Sequence, residues 1–253
     1  MSLKSEKEID SMRRGGKILG LILAELEKLV RPGITTLDLE HAAEKLFEQY
    51  KVRPGFKGYH GYPSILCTSV NEEVVHTIPN KRVLNDGDIL SIDCGVILDN
   101  LNTDSAVAVC VGKCSPEIKK FVDTCIRATW AGIRQVKPGN KIGDIGHAIE
   151  RVVRGGGYRV VPELTGHGIG YKLHEEPYVY NYGKPHNGPA MKPGLTIAIE
   201  PILVNGNPKI YTEKDGWTLS TKDGSWGIQH EHTVLVTESG VEVLTLRPGE
   251  VPA

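Results

Sequence analysis

The sequence predicts an α+β chain in which one α/β half occurs twice, and three observations lead there. First, Val30-Arg-Pro-Gly-Ile-Thr-Thr-Leu-Asp-Leu-Glu-His-Ala-Ala-Glu44 returns as Val136-Lys-Pro-Gly-Asn-Lys-Ile-Gly-Asp-Ile-Gly-His-Ala-Ile-Glu150, with seven of fifteen positions identical at an offset of 106. Second, Asp86-Gly-Asp-Ile-Leu-Ser-Ile-Asp93 aligns with Pro193-Gly-Leu-Thr-Ile-Ala-Ile-Glu200 at an offset of 107. Third, Asp93 and Glu200 thereby become equivalent strand-end acids. A unit this long is not a solenoid repeat; it predicts two half-domains, each with two helices and a sheet, about an approximate two-fold axis. The expectation is a single domain over 1–253, with halves of roughly 6–112 and 116–250.

Each element can be justified in order. Ser5 and Glu8 form a capping box. Ile9, Met12, Ile18, Leu19, Ile22, Leu23, Leu26 and Leu29 follow at near-helical spacing and predict a helix over 6–30. Pro32-Gly33 ends it, Thr35 with Asp38 caps a second helix, and Leu39, Ala42, Ala43, Leu46, Phe47 and Tyr50 form its apolar stripe. Residues 88–93 and 106–111 alternate with period two around the turn-forming Asp99-Asn100, a hairpin signature. A turn near Asp99 makes Asp93 and Asp104 direct or diagonal cross-strand neighbours on one face, where like charges destabilise pairing and a cation between them removes the conflict. In Thr165-Gly-His-Gly-Ile-Gly170, glycines flank His167 and let backbone or ligand approach closely. The alternation of Leu195-Thr-Ile-Ala-Ile-Glu200 points Thr196, Ala198 and Glu200 one way, and Glu231, Thr233 and Leu235 share a face farther on.

Composition narrows the function classes. Hydrophobic residues make up 40% of the chain, enough for a real core, and Lys plus Arg (30) balance Asp plus Glu (31) without a block of like charge that would mark a nucleic-acid arm or a membrane patch. No apolar run approaches a membrane span and the first residues lack a signal-peptide core, so the expected location is cytoplasmic. Cys67, Cys94, Cys110, Cys114 and Cys125 include no Cys-x-x-Cys and are expected as reduced, mostly core, thiols.

The two aspartates, Glu200, Glu231 and His167 make a donor set of four carboxylates and one imidazole. Such a set suits a pair of divalent ions such as Mn, Fe, Co or Zn better than a tetrahedral structural zinc. Four negative charges against two divalent cations leave a filled site nearly neutral, whereas the acids alone repel one another.

The order Asp93, Asp104, His167, Glu200, Glu231, together with Tyr59-His-Gly-Tyr-Pro63, Ser69-Val-Asn-Glu-Glu-Val-Val-His76, Gly166-His-Gly-Ile-Gly170 and Lys214-Asp-Gly-Trp217, resembles methionine aminopeptidase, the bacterial type I enzyme in particular. The resemblance spans nearly the whole chain. It implies the pita-bread fold, a duplicated α/β half whose mainly antiparallel, curved sheet surrounds a dinuclear metal site. It implies Asp93 as a ligand of one metal, Asp104 and Glu231 as bridging ligands, and His167 with Glu200 as ligands of the other. Glu200 would also be the general base, and His76 and His174 would hydrogen-bond the scissile amide. Tyr59, Tyr62, Cys67 and Trp217 would line the slot for the methionine side chain, and Asn71 and Glu73 would offer backbone or amide oxygens to a structural monovalent cation. The implied substrate is the N-terminus of a nascent polypeptide with a small second residue, met by a monomer in transient contact with the ribosome.

Three departures from the family pattern bear on pocket shape. Leu101-Asn-Thr103 precedes Asp104 where an aromatic, a His or Tyr, and a small residue are frequent. Leu173 stands where an aromatic is common, and His230 where an apolar side chain is usual. Two other readings compete. Prolidase, aminopeptidase P and creatinase relatives share the fold but generally carry an extra N-terminal domain, for which about 50 helical residues leave too little room. A non-catalytic binding protein on the same scaffold would be expected to have lost ligands, and all five are present here.

Overall fold

The computed structural model describes residues 1–251. Helices α1 (Glu6–Leu29) and α2 (Thr36–Tyr50) lead into β1 (Arg53–Pro54), a 3-10 turn at Tyr59–Gly61, β2 (Leu66–Val70), β3 (Glu73–Val75) and a long hairpin of β4 (Ile89–Leu98) and β5 (Leu101–Cys110). Then come α3 (Pro116–Ile133), α4 (Ile142–Gly156), β6 (Arg159–Val160), β7 (Thr165–Gly168), β8 (Glu175–Tyr180), β9 (Thr196–Ile199) and β10 (Ile202–Val204). The last strands are β11 (Ile210–Thr212), β12 (Leu219–Thr221), β13 (Gly227–Gln229), β14 (His232–Val236) and β15 (Val241–Val243).

The local signals act as expected. The Glu8 carboxylate accepts from the Ser5 backbone N–H at 2.8 Å, and Asp38 accepts from Thr35 N–H at 2.8 Å while the Asp38 N–H donates to Thr35 Oγ1 at 3.1 Å. Met12, Leu19, Ile22, Leu23 and Leu26 are buried along α1. Leu29 departs from the expected stripe: it is 46% exposed, because the helix ends there and Val30 continues the packing instead. Asp99 and Asn100, at φ 51° and 63°, make the two-residue turn of the β4–β5 hairpin, whose tip is held by Ser11 and Arg14 of α1 through Asp99 Oδ2.

All strand pairs that build the fold are antiparallel. β4 lies between β2 and β5, and β9 lies between β7 and β14 with β8 and β15 outside them. The order β2–β4–β5 is thus repeated as β7–β9–β14, and the helices α2 and α4, fifteen residues each, begin at residues 36 and 142.

Alternation then divides each sheet into an outer and an inner face. Leu90, Ile92, Cys94 and Val96 of β4 pack with Leu19, Leu23, Leu39 and Phe47 of α1 and α2, so Ser91 and Asp93 point the other way. Ile197 and Ile199 of β9 pack with Phe121, Cys125, Ile145 and Ile149 of α3 and α4, so Ala198 and Glu200 point inward. Helices cover the outside of both sheets, and the two sheets meet where β5 runs beside the segment between β13 and β14. They are stitched by Glu231 N–H to Ala106 O (3.0 Å), Asp104 N–H to Thr233 Oγ1 (2.9 Å) and Gln229 N–H to Ser91 Oγ (3.0 Å). Each fully buried Leu, Ile or Phe in these layers contributes about 1.5–3 kcal/mol, so the acids at the seam are held in place by apolar packing on the far side of their own strands.

Candidate metal centre

Five strand segments deliver the charged residues to that seam. In the hairpin register Asp93 faces Ala106 and Asp104 faces Gly95, which makes the two acids diagonal neighbours. His167 comes from β7, Glu200 follows β9, and Glu231 lies between β13 and β14. Gly166 and Gly168 on either side of His167 are required by backbone: a Cβ on Gly166 would lie 2.3 Å from Ala198 O and one on Gly168 2.5 Å from Glu176 O. The side chains converge on a cavity of about 120 Å³. Donor atoms of Asp104, His167 and Glu231 lie within 4.8 Å of one another, and His167 Nε2 stands 3.4 Å from Glu200 Oε1.

The electrostatics of this arrangement are unbalanced. Burial, reinforced by the other acids, raises the pKa values of Asp104, Glu200 and Glu231 well above the carboxylate range, and burial raises that of Asp93 against hydrogen bonds from Asp104 and Gln229. Asp93 Oδ1, Asp104 Oδ1 and Glu231 Oε1 are buried without a hydrogen-bond partner. His167 is pushed down to about 3 by burial and by His174, so its ring is neutral and the contact with Glu200 is not an ion pair. Its Nδ1 lies 3.0 Å from Gly168 O, an acceptor, which assigns the proton to Nδ1 and leaves Nε2 as a lone pair facing the carboxylates. Orphaned oxygens and an inward imidazole lone pair with no internal cation fit a bound divalent metal, and four oxygens with one nitrogen suit two such ions.

Around this cluster stand the other expected residues. His76, at φ 61°, and His174 open onto the cavity, and water withdrawal lowers both below the usual histidine value. His174 Nδ1 lies 2.9 Å from Tyr59 Oη, and the His174 and His167 ring centres are 4.3 Å apart. Tyr59, Tyr62, Cys67 and Trp217 all line the cavity, with Tyr62 edge-on to Trp217 at 5.1 Å and its hydroxyl donating to Leu66 O at 2.8 Å. Asn71 and Glu73 lie outside it. Asn71 Oδ1 accepts from Ile89 N–H, and the Glu73 oxygens take Val70 N–H and Arg82, so every side-chain oxygen of the pair already has a partner.

Several site residues were not singled out by sequence. Gln229 Nε2 donates to Glu200 Oε2 (3.2 Å) and Glu231 Oε2 (3.3 Å); its place two residues before Glu231, on the same face of an extended chain, was the available signal. Phe56 adds to the apolar wall. The N-terminal segment braces the His174 loop: Lys4 Nζ, fully buried, pairs with Glu175 Oε2 at 2.9 Å, and Ser2 Oγ donates to the same oxygen. Of the departures, Asn102 ties the hairpin to the loop after His167 through Gly170 O at 2.8 Å, and Leu173 faces the cavity.

His230 turns away from the metal cluster. With His232 and Glu250 it forms a second group of potential ligands, but a guanidinium already occupies it. Arg247 Nη2 donates to His230 Nε2 at 2.8 Å and to Glu250 Oε1 at 2.5 Å, and Glu250 Oε1 also accepts from His232 Nε2 at 3.0 Å. Thr129 and Thr245 take the two Nδ1 atoms.

Residues 10–238 match metallopeptidase family M24. A methionine aminopeptidase of Clostridium acetobutylicum is 43% identical over 96% of this chain and 98% of its own, and methionine aminopeptidase 1 of Bacillus subtilis is 42% identical with the same coverage. The crystal structure of methionine aminopeptidase from Thermotoga maritima superposes with a TM-score of 0.96 at 40% identity, covering 98% of this chain and all of that one. The prolidase from Pyrococcus furiosus, at 20% identity and a TM-score of 0.77, covers 96% of this chain but 65% of its own, and shares the pita-bread fold alone. On sequence, fold and donor set together, the chain belongs to metallopeptidase family M24, among its methionine aminopeptidases.

Proposed function

We propose that this protein removes the N-terminal methionine of polypeptides by hydrolysis and that Asp93, Asp104, His167, Glu200 and Glu231 hold two divalent ions for the purpose. The observation that carries the reading is the buried cavity in which partnerless carboxylate oxygens and an imidazole lone pair adjoin an apolar slot. Bound divalent ions there would acidify water, polarise the scissile carbonyl and hold the free amine. The protein's own groups supply the rest. Glu200, as the carboxylate, accepts the proton of the attacking water and passes it to the leaving amine. Tyr59 donates its hydroxyl proton to His174 Nδ1, which leaves Nε2–H of His174 to hydrogen-bond the scissile amide, with His76 as the second donor where oxyanion charge develops. Phe56, Tyr62, Cys67 and Trp217 receive a thioether side chain, which packs well against aromatic edges, and the small cavity limits the slot to one residue.

In this reading the chain is one domain whose halves, about 6–112 and 116–250, each contribute part of the ligand set. No helix among the described residues is long and apolar enough to cross a membrane. The setting we propose is the cytoplasm, with a monomer acting on nascent chains during transient contact with the ribosome and preferring a small second residue. A monovalent cation at Asn71 and Glu73 would have to use backbone carbonyls. The direct test is release of methionine from a Met-Gly-Met peptide by chelator-stripped protein titrated with Mn, Co, Fe and Zn. Metal-dependent release supports the reading, and a folded protein that stays silent with every metal refutes it.

A further inference from the structure

A second cavity, of about 480 Å³, adjoins the metal site and shares His174 with it. Two exposed tyrosines line it, Tyr171 (49% exposed) and Tyr178 (57% exposed), together with Lys172, Glu175 and Glu176. The register explains why Tyr178 belongs here. It lies directly opposite His167 across the β7–β8 pair, and opposed residues of antiparallel strands point to the same face, so the Tyr178 side chain stands on the metal side of the sheet. Tyr180 follows two residues on, opposite Thr165, with its ring centre 6.3 Å from that of Tyr178. β8 is the last strand of its sheet, and no strand of the described residues pairs with its outer edge. Tyr171 is held in place, because its Oη donates to Glu8 Oε1 at 2.8 Å and Lys4 Nζ lies 5.2 Å from its ring centre. Lys4 also neutralises Glu175.

From this geometry we infer that the Tyr171–Tyr178 groove receives the third and following residues of the polypeptide whose amino end occupies the metal site. The inference rests on the aminopeptidase reading above. The occupant follows from continuity: a chain cleaved beside His174 must leave past His174, and that residue opens into this groove. The chemistry suits a substrate of arbitrary downstream sequence. Aromatic faces contact main chain and any side chain without selecting a particular one, and the free edge of β8 offers backbone groups to an extended segment. With Glu175 paired, the groove's remaining charged residues are Lys172 and Glu176, which are of opposite sign.

The test compares KM for methionyl-serine amide, which ends before the groove, with KM for an octapeptide beginning Met-Ser, in metal-loaded protein. Tyr178→Ala is expected to raise the ratio of octapeptide to dipeptide KM by about three- to tenfold, the size of one lost aromatic contact. Tyr178→Phe, which keeps the ring, is expected to restore the ratio. An unchanged ratio in Tyr178→Ala, whether neither KM moves or both move together through the neighbouring His167, overturns the groove. Wild-type protein that releases methionine from neither peptide overturns the aminopeptidase reading itself, and the groove with it.

Discussion

Two histidine–carboxylate clusters lie back to back on the two sides of the segment that carries Glu231. On one side Asp93, Asp104, His167, Glu200 and Glu231 gather four acids with no internal cation, and three of their oxygens lack a partner. On the other, His230, His232 and Glu250 are built around Arg247, and among the described residues Arg247 Nη1 is the sole fully buried side-chain polar atom of that group left unpaired. The residue types are similar and the burial is similar, but the electrostatics are opposite. In the first cluster burial pushes every acid up. In the second, burial also disfavours the Glu250 carboxylate, yet the His232 hydrogen bond and the Arg247 charge outweigh it and hold Glu250 below the ordinary value. An unsatisfied cluster is a binding site in waiting, whereas a satisfied one is a structural clamp. Here the clamp fixes the C-terminal segment against α1, where Gly16 and Gly20 admit the carbonyls of Leu244 and Leu246 within 2.4 and 2.6 Å of a notional Cβ.

Substitutions can break the comparison on either side. The largest effect is expected from Glu200→Gln, which removes the proposed base: kcat should fall by about 10²–10⁴-fold while thermal stability holds or rises, since a buried acid has been made neutral. His174→Ala should lower kcat by about 10²–10³-fold by removing a donor at the developing oxyanion. Across the segment, Arg247→Met leaves Glu250 buried without its cation and should destabilise the fold by about 3–5 kcal/mol, read by urea unfolding, while metal stoichiometry stays that of wild type. Loading the open cluster should release protons, because its acids bind them above their usual range. Apparent affinity therefore rises with pH, and calorimetry in buffers of different ionisation enthalpy reads the protons directly. The smallest effect is expected from Tyr59→Phe, which loses one hydrogen bond to His174 and should cost about fivefold in kcat.

Much of this was legible in the sequence because periodicity reports which face is buried. The alternation at residues 88–93 and 195–200 placed Asp93 and Glu200 inward, and the doubled Val-x-Pro-Gly segments marked two helices whose starts lie where the repeat put them. The candidate ligand set was legible as charge without a partner in apolar surroundings, and the structure gathers those residues around one cavity. What was not legible depends on partners far apart in the chain. Nothing local to Lys4 announces Glu175, and nothing local to His230 announces Arg247, so His230 read only as an anomaly before Glu231. Gln229 was hidden for another reason: an amide two residues from a stronger candidate draws no attention until its two acceptors are brought within reach. Asn71 and Glu73 show the reverse limit, since a motif fixes which residues are present but not which partners have already claimed their oxygens.

The contrast between the two clusters is tested most directly by counting metal. Chelator-stripped protein, titrated with Mn and analysed after desalting, should bind two ions per chain. Asp104→Asn with Glu231→Gln should abolish that binding, and Arg247→Met should leave it at two. Retention of both ions by the doubly substituted cluster, or loss of an ion from Arg247→Met, would contradict the assignment of one cluster as the metal centre and the other as its clamp.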